Sequence, residues 1–301
     1  MKGRVPALES DALASLERRV TRALGSPREP VPEVLGYGEI SCVLALRFDG
    51  GGVACKRLPP FPSVQDFEAY RSCFESQLET LEAGGIPVLA TELHRVAGAG
   101  PGPVAYCVQP LVDTRALVPA RLAREPGSPG TNLVETILDL ALAYVTPMRG
   151  LDGQLANWVV VDGGLAYLDV STPFLRDDEG HELLDVDIFL ASLPWALRGL
   201  VKRFMLRGIL DPYYSSRGVV RDVLGNLIKE GLGERLPEWV PVATRTLGQP
   251  VSVDEVGRHY AEDARTWRLL QRLRRVDRAW QRHVRRRPYP FLLPGPVQRH
   301  V

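Results

Sequence analysis

Three residues able to do chemistry, Asp152, Asn157 and Asp169, stand in a largely apolar stretch, GLDGQLANWVVVDGGLAYLDVSTPF, at residues 150–174. One carboxylate can accept a proton, and an amide oxygen and a second carboxylate can share a hard cation. That is the minimum equipment for metal-assisted phosphoryl transfer. Asp162-Gly163-Gly164 lies between two apolar β-type runs, WVVV and LAYLDV, which is a hairpin signal. The pattern therefore predicts Asp152 and Asn157 in the loop entering a hairpin and Asp169 at the end of its exit strand. Asp and Asn also favour turns for purely local reasons. The elements that would position them must decide between the two readings.

Those elements begin upstream. Residues 10–24 read as an amphipathic helix with Leu13, Leu16, Val20 and Leu24 on one face, Ser10 as N-cap and Gly25 as stop. A Pro-rich linker follows. Three short strands then end at Leu35 and span residues 41–47 and 53–58, with Asp49-Gly50-Gly51-Gly52 between the last two. The first turn carries Gly36-Tyr37-Gly38, which would let backbone amides approach phosphate oxygens. Lys56 sits inside the third strand, where a lysine is unfavourable without a partner. Ser63 to Asp66 looks like a capping box, opening a helix to about Ala83 with an apolar stripe of Phe67, Tyr70, Phe74, Leu78 and Leu81. Glu68, Glu75, Glu79 and Glu82 lie along one flank, and one of them could pair with Lys56; otherwise they form a solvated acidic face. Two more strands span residues 88–97 and 104–112.

From Asp113 onward the pattern is mainly helical. A buried helix starts near Asn132, and the hairpin follows. Asp185 and Asp187 precede another helix start, and residues 217–232 form a further helix. Residues 252–287 form one long helix or a broken pair, with Ser252 and Glu255 as a capping box. Its densely basic end places Trp267, Leu270, Leu273, Val276 and Trp280 on an apolar face. That end either contacts an acidic partner or membrane surface, or packs one face and solvates the other.

Bulk properties set the frame. The chain has 301 residues, is 45% hydrophobic and 24% charged, and carries a net charge of +1, which argues against a dedicated nucleic-acid binder. No apolar run approaches the roughly 20 residues that cross a bilayer, and the first residues lack an apolar signal core. A cytoplasmic location is the resulting expectation. Cys42, Cys55, Cys73 and Cys107 show no metal or disulfide spacing and read as buried free thiols. The five histidines show no ligand spacing either.

Taken in order, these motifs resemble the protein-kinase-like superfamily, above all its aminoglycoside and choline phosphotransferase-like branch, across roughly residues 30–230. The segment DGQLANW…YLDVSTP also resembles an uncharacterised bacterial kinase-like family. The resemblance implies an α+β bilobal fold: a small antiparallel sheet lobe with one main helix (31–112), preceded by a helix and linker (1–30), and a helical lobe (113–301) carrying the hairpin. It implies that Gly36 and Gly38 belong to a nucleotide loop, that Lys56 holds nucleotide phosphates with Glu75 as its helix partner, and that residues 106–112 form an adenine-contacting hinge. Asp152 takes the catalytic base position, Asn157 and Asp169 the metal positions, and Asp187 that of a buried aspartate bracing the loop. The implied activity is ATP- and Mg²⁺-dependent phosphotransfer to a hydroxyl of a small molecule or peptide; the alternative is a pseudokinase scaffold or regulator. The chain departs from the pattern at Gly150, where a histidine is expected, and at Ser41 and Ser171, where glycines are. It also lacks the A-P-E-like segment of peptide-docking kinases.

Overall fold

A computed structural model describes residues 1–26, 28–38, 41–124, 128–190, 193–204, 206–286 and 289–294. Helix α1 (Ala12–Gly25) precedes strands β1 (Val34–Tyr37), β2 (Cys42–Phe48) and β3 (Gly51–Arg57). Helix α2 (Val64–Ala83) and strands β4 (Glu92–Ala97) and β5 (Pro103–Pro110) complete the first part. The rest comprises α3 (Val118–Arg124), α4 (Ser128–Tyr144), β6 (Trp158–Val161), β7 (Gly164–Tyr167), α5 (Asp187–Leu190), α6 (Trp195–Phe204), α7 (Leu206–Leu210), α8 (Ser216–Lys229), α9 (Leu236–Leu247) and α10 (Val253–His283). The fold is α+β: a five-stranded antiparallel sheet of order β1-β2-β3-β5-β4 with its helices, followed by a mainly helical part that holds the two-stranded hairpin. This is the two-lobed layout expected. No helix among the described residues is long and apolar enough to cross a membrane.

Strand alternation sends the two faces of the sheet to different cores. Lys56 pairs with Cys107, and Ala54 with Gln109, on the inner face. Ala105 and Cys107 join Phe67, Tyr70, Phe74 and Leu81 of α2 in one apolar cluster, which continues through α4, the hairpin, α8 and α9. The outer face, with Leu44, Val53, Cys55, Tyr106 and Val108, packs on Leu13, Leu16, Val20 and Leu24 of α1, the stripe read from the sequence. Ser63 caps α2 as expected, accepting from the Asp66 amide at 3.2 Å. Ser10 does not cap α1; the N-cap is Asp11, without a side-chain bond. All four cysteines are free and buried.

The halves are tied together at several places. Residues 87–89 exchange backbone bonds with Tyr167 of the hairpin, Tyr167 N to Pro87 O at 2.7 Å and Leu89 N to Tyr167 O at 3.0 Å. On the outer face, buried Arg57 reaches the carbonyl of Pro290 at 3.2 Å, so the segment after α10 lies over the sheet. The end of α10 differs from expectation. Its buried positions are Gln271, Arg274 and Asp277, whereas Val276 and Trp280 point outward. Arg274 is covered by Phe291, 5.3 Å from its guanidinium. A residue far along the chain thus makes a polar face the inward one.

Candidate active site

The hairpin turns at Asp162 and Gly163, whose φ values of 51° and 73° are those of the two-residue turn that matches strand twist. A single 3-10 turn, Leu155–Asn157, leads into it. Asp152 and Asn157 therefore sit in the entering loop, as read from the sequence, and Asp169 lies two residues beyond β7.

From β3 of the sheet comes Lys56, which meets Asp169 Oδ1 at 2.6 Å although 113 residues separate them. Burial would raise the Asp169 pKa. Lys56, together with bonds from Ser171, outweighs it and holds the carboxyl below its usual range. The Ser171 hydroxyl donates to Asp169 Oδ1 at 3.0 Å, so the residue standing in place of glycine orients the carboxylate. The same serine's carbonyl accepts from Tyr70 of α2 at 2.8 Å. Gln109 Nε2 donates to Leu168 O at 2.8 Å. Residues 168–171 are thus pinned by α2 on one side and β5 on the other.

The Asp152 loop is held mostly through its backbone. Its carbonyl accepts from Asn157 Nδ2 at 3.3 Å and from Tyr167 Oη at 3.1 Å. Gly150 N donates to Phe174 O at 2.9 Å, and Leu151 N to Tyr213 O at 3.0 Å. A Cβ on Gly150 would stand 2.9 Å from Phe174 Cβ and 3.1 Å from Tyr213 O, so close backbone approach favours glycine where histidine was expected. From α8, Asn226 Oδ1 accepts from the Ala156 amide at 3.0 Å. Gln154 Oε1 receives Lys229 Nζ at 2.7 Å. The Asp152 carboxylate accepts from Gln154 N at 3.1 Å. Burial first, then the nearby charges of Asp222 and Asp169, push its pKa up to about 7. Asp222 in turn contacts His259 Nε2 at 3.0 Å.

Three expected roles fall elsewhere. Glu75 does not meet Lys56: its side chain is 63% exposed and its ionic neighbour is Arg71 at 4.0 Å. The residue that α2 sends to the site is Tyr70, five positions earlier and on the apolar stripe. Burial, with Cys107 and Asp169 nearby, raises its pKa. Asp187 does not brace the loop; it is exposed and bonds Lys202 at 2.7 Å, and Asn226 does the bracing. Tyr106, expected at the hinge, points to the outer face and donates to Glu17 at 2.6 Å. Gly36 lies within β1, opposite Val43, and Gly38 opens the β1–β2 turn; Gly38 N bonds Ser41 O at 3.0 Å, and a Cβ on Gly38 would lie 2.6 Å from Ser41 Oγ. Residues 39–40 of that loop lie outside the described residues. Asp177, Glu179 and His181 form a three-donor group at a surface turn that takes no part in the hairpin.

A two-lobed α+β protein in which a lysine of the sheet meets a carboxylate beyond the hairpin, with a loop carboxylate nearby, is the class that fold and site define. The chain belongs to DUF6206, a family of unknown function, whose model matches residues 15–278. No curated protein matches it. Among solved structures it is similar to WaaP in complex with acyl carrier protein: 15% identity, 84% of this chain and 96% of that one covered, TM-score 0.38. It is also similar to the MAP kinase LmaMPK10 from Leishmania major, with 17% identity, 85% and 89% covered and TM-score 0.36. A third is the PknI kinase domain of Mycobacterium tuberculosis, with 16% identity, 76% and 93% covered and TM-score 0.35.

Proposed function

We propose that the chain is an ATP-dependent phosphotransferase acting on a hydroxyl of a small molecule or peptide, with residues 31–112 serving the nucleotide and residues 113–301 the acceptor. The observation that carries this reading is the convergence of Lys56 from the sheet and Asp169 from beyond the hairpin, with Asp152 close enough to Asp169 for its charge to be felt. Asp169 and Asn157 are hard oxygen donors of the kind Mg²⁺ takes. The Asn157 amide nitrogen is already spent on Asp152 O, which leaves its oxygen for a cation. ATP with Mg²⁺ would supply the phosphoryl group and the charge that offsets its transfer. Lys56 and the amides around Gly36 and Gly38 would hold phosphate oxygens. Asp152 would orient the acceptor hydroxyl and take its proton, and a carboxyl with pKa near neutrality suits that task. Buried free cysteines fit a reducing cytoplasmic setting.

The second reading, a pseudokinase scaffold or regulator, is favoured by one observation. Lys56 lacks the Glu75 partner, so its ion pair with Asp169 would have to open for both residues to serve ligands. Thermal-shift titration with ATP, with and without Mg²⁺, separates the two. A Mg²⁺-dependent rise in Tm that disappears in Asp169→Ala supports the enzyme. No rise at millimolar ATP in either condition supports the scaffold. Untargeted phosphorylation of cell extract by the active chain would then identify the acceptor.

Tyr70→Phe tests how the metal segment is held. It removes one hydroxyl and little volume, so stability should fall by only about 1 kcal/mol. Releasing the Ser171 carbonyl should weaken Mg²⁺ dependence several-fold while Mg²⁺-free nucleotide binding stays unchanged. Equal loss of both would show that Tyr70 only supports the core.

A further inference from the structure

The outer face of α10 has an unusual composition. Leu269, Val276 and Trp280 are 57%, 67% and 49% exposed, and Val284, the C-cap, is exposed too. At 100° per residue the three helical positions fall on one side, within about 40° of one another. Arg265, Arg272 and His283 lie on the same arc and Arg268 at its margin, all exposed. Neither Arg265 nor Arg272 makes an ion pair or hydrogen bond among the described residues. Residues 264–286 contain nine arginines and a single acid, Asp277, which is buried. Further round the helix, burial and the guanidinia of Arg282 and Arg275 depress the Arg278 pKa, a sign of crowded like charge.

We propose that this face of α10 docks on an anionic phospholipid surface, with Leu269, Val276, Trp280 and Val284 entering the headgroup–acyl boundary and Arg265, Arg268 and Arg272 meeting lipid phosphates. Three features select this occupant. The apolar stripe is a convex ridge about 22 Å long on a single helix, which suits a plane. Trp and aliphatic side chains beside arginines are the makeup of helices lying in a membrane interface. Arginines outnumber acids nine to one over residues 264–286, with Glu262 an exposed acid at one end of the same arc, so this face complements an anionic surface better than a second copy of itself. The proposal is independent of catalysis, since none of these residues is among those around Lys56, Asp152 and Asp169.

Vesicle flotation of the full chain tests it. Binding is expected to vesicles of phosphatidylglycerol in phosphatidylcholine, to be absent with phosphatidylcholine alone, and to fall at high salt. Each basic residue near such a surface contributes about fivefold, so Arg265→Gln with Arg272→Gln should weaken binding about 25-fold. Val276→Glu should weaken it by a similar order, and both variants, altered only at exposed positions, should keep the parent Tm. A blue shift of fluorescence on vesicle addition that is lost in Trp280→Phe would place the tryptophan in the interface. Equal binding to neutral vesicles, or none to either, overturns the proposal. So does a dimer in sedimentation that Val276→Glu dissociates, or retention on a soluble polyanion without vesicle binding.

Discussion

Asp152→Asn should lower kcat by roughly 10²–10⁴-fold while leaving nucleotide binding intact, and the same variant should be more stable than the parent at neutral and higher pH. The two effects share a cause. The Asp152 carboxyl has its pKa pushed from 3.8 to about 7 by burial and by neighbouring Asp222 and Asp169. Below about pH 4 it is protonated both folded and unfolded. Between pH 4 and 7 the unfolded chain releases the proton more readily, so the folded state loses stability as pH rises through about 7. A shift of that size corresponds to a few kcal/mol, and water access to the half-buried side chain reduces it to about 1–3 kcal/mol. Asparagine cannot ionise, so the Tm difference between variant and parent should be small near pH 5 and largest near pH 8. In the parent, kcat/KM should rise along an acidic limb with a midpoint near 7. A variant with parental turnover, or a Tm difference independent of pH, would remove Asp152 from the base position.

The second large effect is on stability and lies on the far face of the sheet. Glu17 of α1 accepts from Arg57 Nε at 2.7 Å and Nη2 at 2.8 Å, and from the Tyr106 hydroxyl at 2.6 Å, with all three side chains buried. Glu17→Ala leaves a guanidinium buried without its carboxylate, which costs about 3–5 kcal/mol. Thermal unfolding should show a loss on the order of 10 °C. Removing the exposed partner of Arg47, in Glu33→Ala, is the control: that pair is also short, at 2.8 Å, yet solvated, and should cost less than about 1 kcal/mol. The double variant Glu17→Leu with Arg57→Met should recover much of the loss. Arg57 follows Lys56 directly, so activity lost in Glu17→Ala beyond the unfolded fraction would show that the outer cluster also sets the angle of Lys56, the lysine proposed to hold phosphate.

Residues governed by local rules were legible in the sequence. The Asp162-Gly163 turn demands positive φ and has it; Ser63 caps α2; the α1 stripe faces the sheet. Asp152, Asn157 and Asp169 sit at the hairpin because strand and turn lengths alone put them there. Roles that depend on which face a helix presents are not set by spacing alone. Counting residues selected Glu75, but Phe67, Tyr70, Phe74 and Leu81 define the inward side, and Glu75 lies off it. The stripe itself was the available signal, since it names Tyr70. Asn226 was likewise visible as a polar residue among Val219, Val220, Val223, Leu224 and Leu227. The inverted end of α10 had no local signal, because Phe291, which covers Arg274, arrives from beyond the helix.

That late arrival has a consequence for synthesis. Arg57 and Pro290 are 233 residues apart, so a chain emerging from the ribosome completes its sheet long before the segment that covers Arg57 exists. Until then the outer face would rest on α1 and the residues just before it, with Glu17 against the guanidinium. The segment around Pro290 would then act on the first layer to form, and its arrival, rather than completion of the sheet, would be the moment at which the outer face is closed.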